Sequence, residues 1–417
     1  MPSAISGVVA APPSKSVAQR AIAMAAMAHG ISTLRHVGRS DDVRAAMEAA
    51  LALGVRIDGV PGSELRVHGG QLRAMGTLPC GESGLALRMF APIAATVGGP
   101  VQLTGRGSLL RRPLAPITDA LGQLGVECHP TGDGLPLTVR GPMRPCGTVR
   151  LDGSHGSQVL TGLLMGLVRT GLSARLCVDN LKSKPYIDLT IAMMRQFGVR
   201  VDALTHDEFY IAPFQRYLPS HVDVEGDWSA AALWLVAGAL AGDVVVNNLK
   251  NSSLQPDAGI VQVLRDAGAR VVLMDGGVRV QRDGLKAFVY DATHSPDLFP
   301  PLVALAANCV GISEIRGASR LRHKESDRAE ALVVELGKMG IRIDIHNDTM
   351  FVHGAKPRSA ALSSHGDHRM VMACAVAALM SDSEVQIDGA EAVDKSYPGF
   401  WDELHRLQAN PHGCCGV

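Results

Sequence analysis

Leu53-Gly54-Val55, Leu124-Gly125-Val126, Phe197-Gly198-Val199, Ala267-Gly268-Ala269 and Met339-Gly340-Ile341 are one phrase written five times. In each, an apolar segment of helical period runs into a glycine and then into an alternation such as Val199/Val201 or Ile341/Ile343/Ile345. Glycine just past the last helical turn takes the left-handed conformation without a Cβ clash, and period-two alternation marks a strand. The five glycines stand 71, 73, 70 and 72 residues apart. That spacing is too regular for chance and too long for one turn of a solenoid, so each repeat is a small supersecondary module.

After each strand comes a cluster of turn formers (Pro61-Gly62-Ser63, Gly132-Asp133-Gly134, Asp275-Gly276-Gly277, Asn347-Asp348) and then a second strand, the pattern of a β-hairpin. A second class of helix follows, with starts expected at Ser16, Ser83, Ser157, Ser229, Asp297 and Asp367, separated by 67, 74, 72, 68 and 70 residues. These segments are apolar nearly all round, as in Ala230–Leu240, and such helices are buried. The sixth glycine phrase is due near residue 410, where the helix 400–407 arrives without a hairpin. The spare strand 7–10 is the expected donor of the missing strand. The chain therefore reads as an α/β protein of two lobes with three βαβαββ units in each. One lobe comprises residues 1–13 with 225–417, the other is an insertion of 14–224, and a site is expected in the cleft between them. The crossings fall near Pro12-Pro13 and Val224-Glu225.

The composition narrows function mainly by exclusion. Forty Lys+Arg balance 40 Asp+Glu across 417 residues, so no bulk field draws the chain to nucleic acid or anionic lipid, and any anion is gripped locally. The 8 cysteines are scattered apart from Cys414-Cys415, with no CxxC pairing that would suggest zinc. No secretory pattern opens the chain, and its longest apolar run is too short to span a bilayer. A cytoplasmic, monomeric protein is expected, with no membrane or nucleic-acid partner, metal or cofactor.

Cations gather where the buried helices begin. Lys15 precedes Ser16, which with Gln19 forms a capping-box pattern, and Arg20 lies on the first turn. Ser83-Gly84 leads into Arg88. Arg111-Arg112 stands before Pro113, read as the first residue of a helix. Asp152-Gly153-Ser154-His155-Gly156-Ser157-Gln158 offers hydroxyls and backbone N–H groups, Lys182-Ser183-Lys184-Pro185 precedes another helix, and Asp367-His368-Arg369 heads the last. A single Lys-Ser at a helix start is more often a solvated end. Repetition shifts the balance, because Lys and Arg oppose the positive end of a helix dipole unless a bound anion reverses the sign. The densest cluster, Arg320-Leu321-Arg322-His323-Lys324-Glu325-Ser326-Asp327-Arg328, has two readings of equal weight. It is either a solvated face with i,i+4 spacing, or, together with Asp297, two carboxylates among cations suited to proton transfer.

In this order, Ser14-Lys15-Ser16 with Arg20, Arg112-Pro113, Asp152-Gly153-Ser154, Ser157-Gln158, Ser183-Lys184-Pro185-Tyr186, Asp297, Lys324-Glu325-Ser326-Asp327-Arg328, Asp367-His368-Arg369 and Lys395 before Tyr397-Pro398 resemble the enolpyruvyl transferases. The resemblance covers nearly the whole chain. It implies transfer of the enolpyruvyl group of phosphoenolpyruvate to the 5-hydroxyl of shikimate 3-phosphate, a step of aromatic amino-acid biosynthesis. It also implies Asp297, Glu325 and Lys15 as catalytic groups. Lys15, Ser16, Arg20, Ser154, Ser157, Gln158, Ser183, Asp297 and Lys324 would contact shikimate 3-phosphate. Lys15, Gly84, Arg88, Arg112, Gln158, Arg328, Arg369 and Lys395 would form the phosphoenolpyruvate shell. Two departures stand out. Glu82-Ser83-Gly84-Leu85 replaces the family's frequent Asn-Ala-Gly-Thr, putting a carboxylate beside an anion site, where it is expected to pair with an arginine. Gly156 stands where a hydroxyl is common. The alternatives are the sister transfer to a UDP-amino sugar, which ranks a distant second, and a non-catalytic or RNA-end-processing relative.

Overall fold

The computed structural model describes residues 4–132, 134–322 and 324–409. Asp133 of one turn, His323 of the charge cluster, the position of the sixth glycine phrase and Cys414-Cys415 lie outside them. The chain divides into two compact units, Pro13–Val224 and Met1–Pro12 with Glu225–Val417. The five phrase glycines all take positive φ: 80° at Gly54, 73° at Gly125, 79° at Gly198, 95° at Gly268 and 83° at Gly340. Each lets a helix stop and the chain turn directly into an edge strand.

In the Pro13–Val224 unit three four-stranded sheets share one order. Leu78–Pro79 lies parallel to Pro100–Thr104, which pairs antiparallel with Gly134–Arg140, and that strand pairs antiparallel with Glu127–Thr131. Thr148–Asp152, Ala174–Asp179, Glu208–Ile211 and Val201–Ala203 repeat it. So do His221–Asp223, Gly30–Arg35, Leu65–Gly69 and Arg56–Asp58. In the other unit the order recurs in Ile5–Ala10, Gly242–Asn247, Gly277–Gln281 and Arg270–Met274, and in Val289–Asp291, Ile312–Arg316, Thr349–His353 and Arg342–His346.

Two of these sheets exchange their first strands. Ile5–Ala10 runs in sequence toward the helix Lys15–Met27 but pairs with Gly242–Asn247, whereas His221–Asp223 runs toward the helix Trp228–Ala241 but pairs with Gly30–Arg35. The exchange corrects one expectation: the N-terminal strand completes the first sheet of its unit, not the last. The last sheet keeps two strands, Ala361–Ser363 and Gln386–Asp388. The helix Phe400–Ala409 packs instead on the N-terminal strand, where Arg406 Nη2 donates to the Val8 carbonyl at 2.6 Å.

Alanine-rich helices fill the core of each unit. Every residue of Trp228–Ala241 is buried, and no helix among the described residues is long and apolar enough to cross a membrane. Small residues set the spacing. A Cβ on Gly162 would lie 2.3 Å from the Arg88 carbonyl oxygen, so the helices Gly84–Ala94 and Gln158–Leu167 touch backbone to side. That close approach brings Arg88 and Gln158 together.

Candidate active site

In the Pro13–Val224 unit the first helix is capped by Ser14, whose Oγ accepts from the Val17 N–H at 3.5 Å. The expected capping box on Ser16 is therefore not formed, because the cap lies two residues earlier, directly after Pro13. Gln19 instead accepts from Ser83 Oγ at 2.8 Å, tying this helix to the next anion corner. Lys15 Nζ lies 2.8 Å from Asp42 Oδ2. Arg20, an expected substrate contact, is 1% exposed. Its guanidinium donates to Thr190 Oγ1 at 2.9 Å, the Ser16 carbonyl at 2.9 Å and Thr161 Oγ1 at 3.5 Å, and it lies 5.8 Å from the centre of the Tyr186 ring. Burial pushes its pKa down to about 10, with Tyr186 opposing the shift, so it stays charged at neutral pH.

Arg88 Nη1 donates to Gln158 Oε1 and to the Gly84 carbonyl, each at 3.2 Å. A Cβ on Gly84 would fall 2.2 Å from Arg112 Nη1 and 2.8 Å from Arg88 Nη1, so two guanidiniums converge over the bare backbone that opens the helix Gly84–Ala94. Two cations at the positive end of a helix repel each other and the dipole, and an anion placed there relieves both. Arg112 ends the short turn Gly107–Arg111 and is 8% exposed. Pro113 is not the first helical residue as expected; that helix is Ala115–Gly122 with Pro116 in its first turn, which leaves Arg111 and Arg112 on the preceding loop. Glu82 accepts from the Ser108 N–H and hydroxyl, both at 3.2 Å. Its carboxylate thus anchors the turn that delivers Arg112.

The loop before Gln158 is organised by Asp152, which accepts from the Ser154 N–H at 2.9 Å and hydroxyl at 2.7 Å. These bonds, the hydroxyl's first, hold the Asp152 carboxyl below its ordinary value. Ser157 is buried at the head of its helix and makes no capping bond there. A cavity of about 220 Å³ opens beside it, lined by Arg88, Gln158, Asp152 and His155 among others. Ser183, 5% exposed with φ 56°, stands two residues before the helix beginning at Pro185.

In the other unit the charge cluster is no solvated face. The helix starts only at Arg328, capped by Asp327, and Arg328 is 1% exposed. Its guanidinium meets three carboxylates: Asp367 at 2.7 Å, Glu325 at 2.6 Å and Asp297 at 3.0 Å. Burial alone would lower its pKa, but Asp367, Glu325 and Asp297 outweigh burial and raise it. Arg369 Nη2 reaches Asp297 at 3.1 Å, Lys324 Nζ reaches Asp297 at 3.6 Å, and Lys395 Nζ reaches Glu325 at 3.6 Å. Burial brings Lys324 down to about 8, with Asp297 pulling the other way. The unit therefore gathers Asp297, Lys324, Glu325, Arg328, Arg369 and Lys395 around one point. The sequence reading missed Asp42, Thr161 and Thr190, which hold Lys15 and Arg20. Asp42 in a helical first turn looks only like a dipole complement, and two threonines inside apolar helices carry no signal at all.

A family model described as EPSP synthase (3-phosphoshikimate 1-carboxyvinyltransferase) matches residues 1–404. The chain belongs to the EPSP synthase family. Among curated relatives, the 3-phosphoshikimate 1-carboxyvinyltransferase of Clostridium kluyveri is 37% identical over 97% of this chain and 96% of its own length. That of Thermococcus kodakarensis is 37% identical over 97% and 98%. The solved EPSP synthase of Acinetobacter baumannii superposes with a TM-score of 0.81 at 25% identity, over 97% of this chain and 96% of that one. The enolpyruvyl transferase NikO of Streptomyces tendae shares the fold, with a TM-score of 0.75 at 18% identity over 97% and 95%. The fold class is thus the α/β architecture of the EPSP synthase family. The chain is an enolpyruvyl transferase of the shikimate pathway, acting between phosphoenolpyruvate and shikimate 3-phosphate.

Proposed function

We propose that the two clusters serve one reaction, with residues of both units holding the substrates. Arg88, Arg112, Gly84 and Gln158, with Lys15, Arg328, Arg369 and Lys395, take phosphoenolpyruvate. Ser16, Ser154, Ser157, Gln158, Ser183, Lys15, Asp297 and Lys324 take shikimate 3-phosphate. Arg20 joins the shikimate 3-phosphate set, its guanidinium oriented by Thr161 and Thr190 on the helices that carry Gln158 and follow Ser183. Asp297 removes the proton of the 5-hydroxyl as its oxygen bonds to C2 of phosphoenolpyruvate, and Glu325 or Lys15 delivers a proton to C3. Loss of a proton from C3 and departure of phosphate from C2 then restore the double bond. The observation that carries this reading is Asp297 bracketed by Lys324, Arg328 and Arg369, a carboxylate among anion-binding groups. The neutral overall charge supports an enzyme without a nucleic-acid partner.

Mixing the protein with both substrates should release inorganic phosphate. Release only with a UDP-amino sugar as acceptor would sink the assignment. Lys324 gives a second test. With its pKa lowered to about 8, it is charged below that pH and loses its charge above it, so a role on the substrate phosphate makes affinity fall as pH rises. Titration calorimetry should show shikimate 3-phosphate binding weakening between pH 8 and 10, by up to about tenfold per unit. Lys324→Arg, charged throughout, should flatten that slope; an unchanged slope would remove Lys324 from the phosphate.

A further inference from the structure

Arg369 has an anchor besides Asp297. Its Nη2 donates to Ser229 Oγ at 2.7 Å, a shorter contact than the 3.1 Å to Asp297 Oδ2. Ser229 Oγ lies 2.5 Å from Asp227 Oδ1. A carboxylate only accepts, so the Ser229 hydroxyl proton points at Asp227 and its lone pair faces Arg369. Asp227 is itself fixed, because it caps the helix Trp228–Ala241 by accepting from the Ser229 and Ala230 N–H groups at 3.0 and 3.1 Å. All three side chains are more than nine-tenths buried: Asp227 is 6% exposed, Ser229 5% and Arg369 3%. Burial alone would lower the Arg369 pKa, but Asp297 first and Asp227 among the others raise it overall.

We propose that Ser229, held by Asp227, is a positioning residue that keeps the Arg369 guanidinium aligned on phosphoenolpyruvate. The proposal rests on the reading of Arg369 given above. The need for a second anchor follows from the chemistry. When Asp297 accepts the 5-hydroxyl proton it becomes neutral and its hold on Arg369 weakens, while Arg369 must go on holding the anionic group derived from phosphoenolpyruvate through the second half of the reaction. Asp227 meets no reacting atom in this scheme, so the Asp227–Ser229 pair is an anchor that the proton transfer does not touch. Arg369 then need not reorganise between the two halves of the reaction.

The design of the test uses the geometry of the cap. Ser229→Ala removes the acceptor for Arg369 but leaves both backbone bonds to Asp227, so the helix cap and the thermal midpoint should survive. The expected result is a rise of about tenfold in KM for phosphoenolpyruvate, the weight of one hydrogen bond to a charged group. The Kd for shikimate 3-phosphate should stay within about twofold, and Ser229→Thr should restore KM by returning the hydroxyl. Ser229→Cys, close in volume but a weak acceptor, should behave as the alanine variant does and serves if alanine disturbs folding. Combined with Arg369→Lys, Ser229→Ala should add little to the loss. An unchanged KM in Ser229→Ala and Ser229→Cys, with KM raised by Arg369→Lys, overturns the positioning role and spares the site reading. No effect of Arg369→Lys on KM overturns the reading of Arg369 and the proposal with it. Fully additive effects also overturn it, since they would mean that Ser229 acts elsewhere.

Discussion

Asp297→Ala is expected to slow phosphate release by about 10²–10⁴-fold, the range typical of removing a positioned general base, while shikimate 3-phosphate still binds. The two parts have different physical origins. Asp297 Oδ1 accepts from Arg328 at 3.0 Å with Lys324 at 3.6 Å, and Oδ2 accepts from Arg369 at 3.1 Å. Deleting the carboxylate takes one anion away from three cations without burying a new one, so affinity for the two anionic substrates holds or improves while turnover collapses. Asp297→Asn separates the base from the scaffold, because its amide oxygen can still accept from one arginine but cannot take a proton at neutral pH. Both variants should lose kcat with little change in KM, the pattern of an interaction made in the transition state. Near-normal turnover in Asp297→Asn would show that the carboxylate only orders the cations. Glu325 would then be the remaining candidate base, since it touches Arg328 at 2.6 Å and has Lys395 3.6 Å away.

The repeat was legible because its signals are local. A glycine at a helix end and an alternating strand depend on a few neighbouring residues, and the five positive φ values fall on the five glycines that the phrase picked out. The exchange of first strands was half legible. The crossings near Pro12-Pro13 and Val224-Glu225 follow from turn chemistry, but which sheet Ile5–Ala10 joins depends on pairing with a strand more than two hundred residues away. No local pattern encodes that choice. At the site, residue types and order pointed to Arg88, Arg112, Asp297, Lys324, Glu325, Arg328 and Arg369, since cations before buried helices are locally unfavourable and so conspicuous. Direction was not legible. Which groups orient Arg20 and Glu82, with Thr161 and Thr190 on the one and Ser108 on the other, depends on helix rotation and loop path, which tertiary packing decides. Ser229 carried a helix-start signal, and only the three-dimensional contact with Arg369 gives it a further part.

Arg328→Met should be the most destabilising single change in the cluster and should also abolish turnover. The arginine is the hub of the network: at 1% exposure it neutralises Asp367, itself fully buried, together with Glu325 and Asp297. A methionine fills much of the volume but leaves three carboxylates around an uncharged side chain, with Arg369, Lys324 and Lys395 at the margins. Breaking a buried pair by removing one partner costs about 3–5 kcal/mol. In a unit of this size that corresponds to a fall in thermal midpoint on the order of 10 °C. The pH dependence of the variant distinguishes this mechanism from simple mispacking. Crowded like charges favour the protonated form, so taking up a proton at one of the three carboxylates relieves the variant and not the wild type. The gap between the two midpoints should therefore narrow as pH is lowered from 8 toward 5. Arg328→Lys, which keeps the charge but cannot reach three carboxylates at once, should fall between methionine and wild type at neutral pH. A gap that stays constant with pH would mean that Arg328 holds this unit by packing, and that the carboxylates around it do not depend on its charge.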